Sequence, residues 1–150
     1  MRPVKGQILR LRGPQLVNHV LRTPDVYLVP REDGELVVGA TMEEQGFDTT
    51  VTTWAVMDLL RDAWRILPGI SELELAETAA GLRPALRDHL PAIGSTRVPG
   101  LFVATGHYRH GVLLAPVTAR LLAGALDGNP VPEAFDPKRL LASSTPAGAP

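Results

Sequence analysis

The 150-residue chain has no cysteine at all. That absence excludes a disulfide scaffold, a thiolate-ligated zinc site and a thiol nucleophile. It fits a reducing compartment, and a cytoplasmic location is the expectation. The chain also lacks a basic excess, with 15 Lys and Arg against 16 Asp and Glu and a formal charge of −1. A nucleic-acid surface normally carries such an excess on one face, so no nucleic-acid partner is expected. No apolar run approaches the roughly 20 residues of a membrane span, and the opening Met1–Gln7 has no apolar leader core. Lysine is scarce too. Only Lys5 and Lys138 stand among the 15 cationic residues, the rest being arginine.

What is present is turn chemistry: 14 glycines and 14 prolines, which imply short elements separated by many turns. Residues 6–12 (GQILRLR) read as a strand, and a polar loop follows over 13–24, in which Leu16, Val17 and Val20 could extend into a further strand. Residues 25–31 and 35–41 form the clearest hairpin, with Asp33-Gly34 supplying the positive φ of a tight turn. Pro30 belongs at a strand end or edge because it has no N–H to donate.

Apolar residues at Val51, Trp54, Met57, Leu60, Ala63, Trp64 and Leu67 predict a helix over residues 50–67. Asp48, Thr49 or Thr50 would cap it and Pro68-Gly69 would stop it. Residues 72–80 alternate as a strand, though their Ala and Glu content also allows a helix, and are broken by Gly81-Leu82-Arg83-Pro84; residues 88–100 read as turns. Residues 101–105 (LFVAT) read as a short buried strand, 106–110 as a loop, and 111–126 as a helix in which Pro116 is tolerable only in the first turn. The tail from residue 143 is low-complexity and expected to be disordered.

Residues 101–114 hold the most chemistry. A strand, a glycine turn and a helix start present free backbone N–H groups and a positive dipole end to an anion. The turn is not a G-x-G-x-x-G fingerprint, because Gly106 and Gly111 are five apart. No Walker-type loop occurs elsewhere in the chain. Arg109 lies in this turn and Arg83 follows an Ala-rich strand. A guanidinium is costly to bury alone and forks naturally onto a carboxylate. On pattern alone, both arginines are also met by internal salt bridges or solvated loops, Tyr27 by a core or rim tyrosine, and Met42 by core filling. Glu43 and Glu44 read as a solvated loop. His107 and His110 lack a third ligand, so no metal site is expected, and no serine sits in a nucleophile elbow.

Six stretches then stand in order: PVKGQ (3–7), YLVPR (27–31), GELVVGATMEEQGFD (34–48), AGLRP (80–84), IG (93–94) and ATGHYRHGVLLAP (104–116). Together they resemble the C-terminal part of the glycine oxidases, within the D-amino-acid-oxidase-like flavoproteins. The resemblance covers about residues 3–127. It implies FAD as cofactor and oxidation of glycine, sarcosine or a small D-amino acid. Hydride passes from the substrate α-carbon to flavin N5, the imine hydrolyses, and oxygen reoxidises the flavin to give hydrogen peroxide. It also implies a link to thiazole synthesis for thiamine. By resemblance, Arg83 pairs with the substrate carboxylate, Tyr27 helps hold it, Arg109 lies beside the substrate and Met42 lines the pocket. Gly106, His107, Tyr108, Arg109, His110, Gly111, Val112 and Leu113 pass the flavin ring. His110 departs from the asparagine usual there.

The resemblance implies an α+β chain. Residues 1–98 would form an antiparallel substrate-binding sheet with its flanking helix. Residues 99–128 would be a strand and helix that complete a Rossmann-like FAD domain, and 129–150 a C-terminal segment. The family's dinucleotide fingerprint has no counterpart here. The chain therefore reads as a fragment needing an N-terminal FAD-binding partner chain, and self-association is compatible with it. The rival readings are a non-catalytic split product and another flavoenzyme of the superfamily, such as a sarcosine oxidase or a D-amino-acid dehydrogenase.

Overall fold

In the computed structural model, which describes residues 1–141, seven strands and two α-helices are ordered as β1 (Arg2–Arg12), β2 (Leu21–Arg22), β3 (Tyr27–Pro30), β4 (Glu35–Gly39), α1 (Thr53–Ile66), β5 (Glu74–Ala85), β6 (Ala92–Ser95), β7 (Phe102–Thr105) and α2 (Gly111–Leu126). The chain falls into two compact units: Pro3–Leu82, and Met1–Arg2 together with the described residues from Arg83 onward. The tail expected to be disordered from residue 143 lies outside the described residues. Among the described residues, no helix is long and apolar enough to cross a membrane.

The first unit carries a sheet in the order β2-β3-β4-β1-β5. The Asp33-Gly34 turn forms as the sequence predicts: β3 and β4 pair antiparallel from Tyr27↔Gly39 to Pro30↔Leu36, and Gly34 has φ +82°. Pro30 ends its strand, beyond the reach of β2, which pairs only with Tyr27 and Leu28. Arg10 on β1 bridges Glu35 on β4 and Glu77 on β5, its Nε lying 3.2 Å from the latter carboxylate. Alternate residues Leu9, Leu11, Leu28, Leu36 and Val38 face the core, where Leu59, Ala63 and Ile70 cover them.

Helix α1 begins later than the sequence predicts, and its cap is not Asp48, Thr49 or Thr50. The cap is Thr52, whose hydroxyl accepts from the Ala55 N–H. A long-range contact selects it, because Gln7 Oε1 on β1 accepts the Thr52 N–H at 2.9 Å. The periodicity of α1 is as expected, but its large apolar residues do not all face inward. Small Ala55 and Ala63 with Leu59 pack on the sheet, leaving Trp54 (67% exposed), Met57 and Trp64 outside.

Strand β5 runs through Gly81–Pro84 rather than breaking there. The extended φ of proline suits a strand that needs no donor at that position. Residues 88–100 are not all turn, since Ala92–Ser95 forms β6, paired antiparallel with β7 from Ala92↔Thr105 to Ser95↔Phe102. Strand β7 is half-buried rather than buried. Helix α2 packs on both strands. Pro116 lies in its second turn, not its first. The helical bond that Pro116 cannot donate would reach the carbonyl of Val112, a residue 94% exposed and open to water.

Candidate functional site

Tyr27 and Met42 lie in the first unit. Tyr27 opens β3 opposite Gly39, and its ring rests on that glycine. A Cβ at Gly39 would stand 2.5 Å from both Cζ and Oη of the ring. Only glycine admits the tyrosine in this position. Met42 follows β4 and is 63% exposed, so it is not core filling.

The segment that bears Met42 is held by groups to which sequence reasoning assigned no role. Lys5 and Gln7 are buried. The backbones of Lys5 and Glu43 exchange both hydrogen bonds, at 2.8 and 3.0 Å. Lys5 Nζ donates to Asp48 Oδ2 at 2.6 Å, and Gln7 Nε2 donates to Glu43 Oε1 at 2.8 Å. Glu43 also accepts from the Thr41 hydroxyl. It is therefore not the solvated loop residue the sequence predicts, because the β1 groups desolvate and satisfy it. The Lys5 ammonium, with help from Thr50, lowers the Asp48 carboxyl to about 2. The only available signal was Lys-x-Gln inside an apolar strand.

Arg83 and Arg109 lie in the second unit, with the whole turn from Gly106 to Leu113. Ala85 bridges His107, and the Tyr108 N–H donates to the Pro84 carbonyl at 2.9 Å. The end of β5 that bears Arg83 is thereby stitched to the segment that bears Arg109. Arg83 is half-buried and Arg109 exposed.

Gly106 has φ +79°, and a Cβ there would meet Leu86 Cγ at 2.5 Å. Tyr108 takes the left-handed conformation with φ +50°, uncommon for a bulky residue and often a mark of function. His107 Nε2 lies 2.8 Å from Thr118 Oγ1, which ties the turn to α2. The His110 N–H donates to the His107 carbonyl. Among the described residues no cluster of three or more His, Asp and Glu could hold a metal ion.

Helix α2 starts at Gly111 after His110, with no side-chain cap and no acidic residue in its first turn. Its first helical bond runs from the Leu114 N–H to the His110 carbonyl. The N–H groups of Gly111, Val112 and Leu113 therefore have no carbonyl within the helix, and the side chains of Val112 and Leu113 are 94% and 76% exposed. An uncapped, apolar-rimmed helix start fits a flat, partly anionic ring system such as the reduced flavin of FAD.

Residues 1–125 match the FAD dependent oxidoreductase family (DAO), and the chain belongs to it. Relatives include the bifunctional protein ThiO/ThiG of a Nostoc species, 44% identical over 81% of this chain and 19% of the relative. The glycine oxidase of Pseudomonas aeruginosa is 38% identical over 84% of this chain and 35% of its own length. The crystal structure of glycine oxidase from Geobacillus kaustophilus superposes with a TM-score of 0.81 at 35% identity, covering 92% of this chain and 38% of that one. The chain spans 19% to 39% of the length of the curated relatives it matches.

Proposed function

We propose that this chain supplies the carboxylate-binding and flavin-facing part of an oxidase acting on glycine or a similarly small amino acid. The observation that carries the reading is the 2.9 Å bond from Tyr108 to Pro84. It ties the strand end that bears the half-buried Arg83 to a turn that ends in an uncapped helix start.

FAD, when bound, supplies the hydride acceptor for oxidation at the substrate α-carbon. Gly106, His107, Tyr108, Arg109, His110, Gly111, Val112 and Leu113 would hold it. The N–H groups of residues 111–113 and the positive end of α2 favour negative charge beside them. Arg83 forks onto the substrate carboxylate and so fixes which face of the α-carbon is presented. Arg109, solvent-exposed in this chain, takes a place beside the substrate. In the other unit, the Tyr27 hydroxyl is a donor to a carboxylate and Met42 a pocket-lining side chain. Oxidation gives the imine and, with oxygen as acceptor, hydrogen peroxide. The link to thiamine thiazole synthesis is supported by the glycine-oxidase resemblance and by relatives of the ThiO/ThiG kind.

A dinucleotide-binding portion outside these 150 residues completes the enzyme, and β7 with α2 joins its Rossmann-like sheet. Support comes from the 19% to 39% of its relatives' length that the chain spans and from the apolar surface left open at Leu126. The test is a visible spectrum and a peroxide assay on the purified chain, alone and with the N-terminal portion of a glycine oxidase. The reading expects bound flavin and glycine-dependent peroxide only in the combination, with the amides of residues 111–113 protected from exchange. Peroxide from the chain alone would refute the need for a second portion. Flavin bound with no protection at residues 111–113 would refute the placement of the turn. A panel with sarcosine and D-amino acids separates the glycine oxidase from its sister flavoenzymes.

A further inference from the structure

His89 also adopts the left-handed conformation, with φ +58°. Two left-handed residues that are not glycine thus meet, since the His89 and Tyr108 rings pack with centroids 5.2 Å apart at an interplanar angle of 46°. Such a backbone is costly for a histidine and persists where its surroundings hold it. Two things hold it here. The His89 N–H donates to the Leu86 carbonyl at 3.2 Å. Arg139, from the 3-10 turn Pro137–Leu141, then grips the residues on either side. Its Nε and Nη2 fork onto Asp88 Oδ2 and Oδ1 at 2.8 and 3.3 Å, and Nη2 also donates to the Leu90 carbonyl at 2.9 Å. The guanidinium holds the Asp88 carboxyl below its ordinary range.

Arg139 lies beyond residue 125, where the family match ends. Leu86, in the same loop as His89, fills the space over Gly106. The loop from Leu86 to Leu90 therefore touches the turn at both Gly106 and Tyr108, and Arg139 braces the loop from outside.

We propose that His89 and Arg139 are positioning residues for the turn Gly106–Leu113. Arg139 sets the Asp88–Leu90 loop, and the His89 ring fixes Tyr108 and with it the backbone that leads to Arg109 and the α2 N-terminus. The proposal rests on the reading that this turn faces the cofactor, but its test does not depend on cofactor binding.

The test is amide hydrogen exchange on the full 150-residue chain, comparing the wild type with His89→Gly, His89→Phe and Arg139→Ala. His89→Gly relieves the backbone strain while deleting the ring, and His89→Phe keeps a ring. We expect the Tyr108 and His110 amides to exchange about tenfold faster in His89→Gly and Arg139→Ala. His89→Phe should restore protection, and the β1–β4 amides should not change in any variant. Unchanged exchange at Tyr108 in His89→Gly would overturn the role of the ring. Equal acceleration throughout both units would show a general loss of stability and overturn the proposal as well. If the local acceleration is found while residues 111–113 gain no protection in the flavin-bound combination, the brace stands and the cofactor reading fails.

Discussion

The Tyr108 N–H donates to the Pro84 carbonyl at 2.9 Å, and this one backbone bond ties the Arg83 strand end to the Arg109 turn. Its neighbour Gly106 is where the turn is least tolerant of change. Gly106→Ala adds a Cβ 2.5 Å from Leu86 Cγ and places alanine at φ +79°. Strain and overpacking of this kind cost about 1–3 kcal/mol each. The variant should lose about 2–4 kcal/mol in urea denaturation and exchange its Tyr108 amide faster. A wild-type midpoint would contradict this account of the turn.

Gly39→Ala tests the tyrosine in the other unit. The new methyl drives into the Tyr27 ring, so destabilisation of about 1–3 kcal/mol is expected. Combining it with Tyr27→Ala should recover part of that loss, because the two changes share one space. Strict additivity in the double mutant would show that the ring does not rest on Gly39.

Acid should weaken the first unit through Asp48. Its folded carboxyl titrates at about 2, below the ordinary 3.8, because Lys5 and Thr50 favour the charged form. A depressed carboxylate contributes stability that is fully present above about 3.8 and is lost as pH falls toward 2. Asp48→Asn should therefore lower stability at pH 6 and flatten the pH dependence between 4 and 2. Thermal melts at matched ionic strength would show it, and a parallel pair of curves would contradict it.

The two faces of α1 should respond differently. Leu59 is 4% exposed and Trp54 67% exposed. Leu59→Ala should cost about 2–5 kcal/mol, whereas Trp54→Ser should stay within about 0.5 kcal/mol. Denaturant midpoints at constant m-value would check both.

The contrast between Leu59 and Trp54 also shows what sequence reasoning can reach. Periodicity located α1 because a 3.6-residue repeat is local. It did not reveal which face turns inward, because that depends on how closely Ala55 and Ala63 let the helix approach the sheet. The β3–β4 hairpin was legible because Asp33-Gly34 carries its own conformational preference. Strand β6 and the end of β5 were hidden, since Gly94 and Pro84 read locally as breakers and only their partners make them strands. The Thr52 cap and the satisfied Glu43 were hidden for a related reason: both draw on Gln7, 36 to 45 residues away. Residue types identified the arginines of the candidate site. Only the fold brought the Arg83 strand end against the Arg109 turn.

The most direct test of the central claim is steady-state oxidation of glycine by this chain combined with the N-terminal portion of a glycine oxidase, with Arg83→Ala and Arg83→Lys beside the wild type. A charge-assisted fork onto a carboxylate contributes about 2–3 kcal/mol, which corresponds to a roughly 30- to 150-fold change. The account predicts that Arg83→Ala raises KM for glycine by about that factor, that Arg83→Lys recovers only part of it, and that the flavin spectrum is unchanged. An unaltered KM in a flavin-loaded Arg83→Ala enzyme would contradict it.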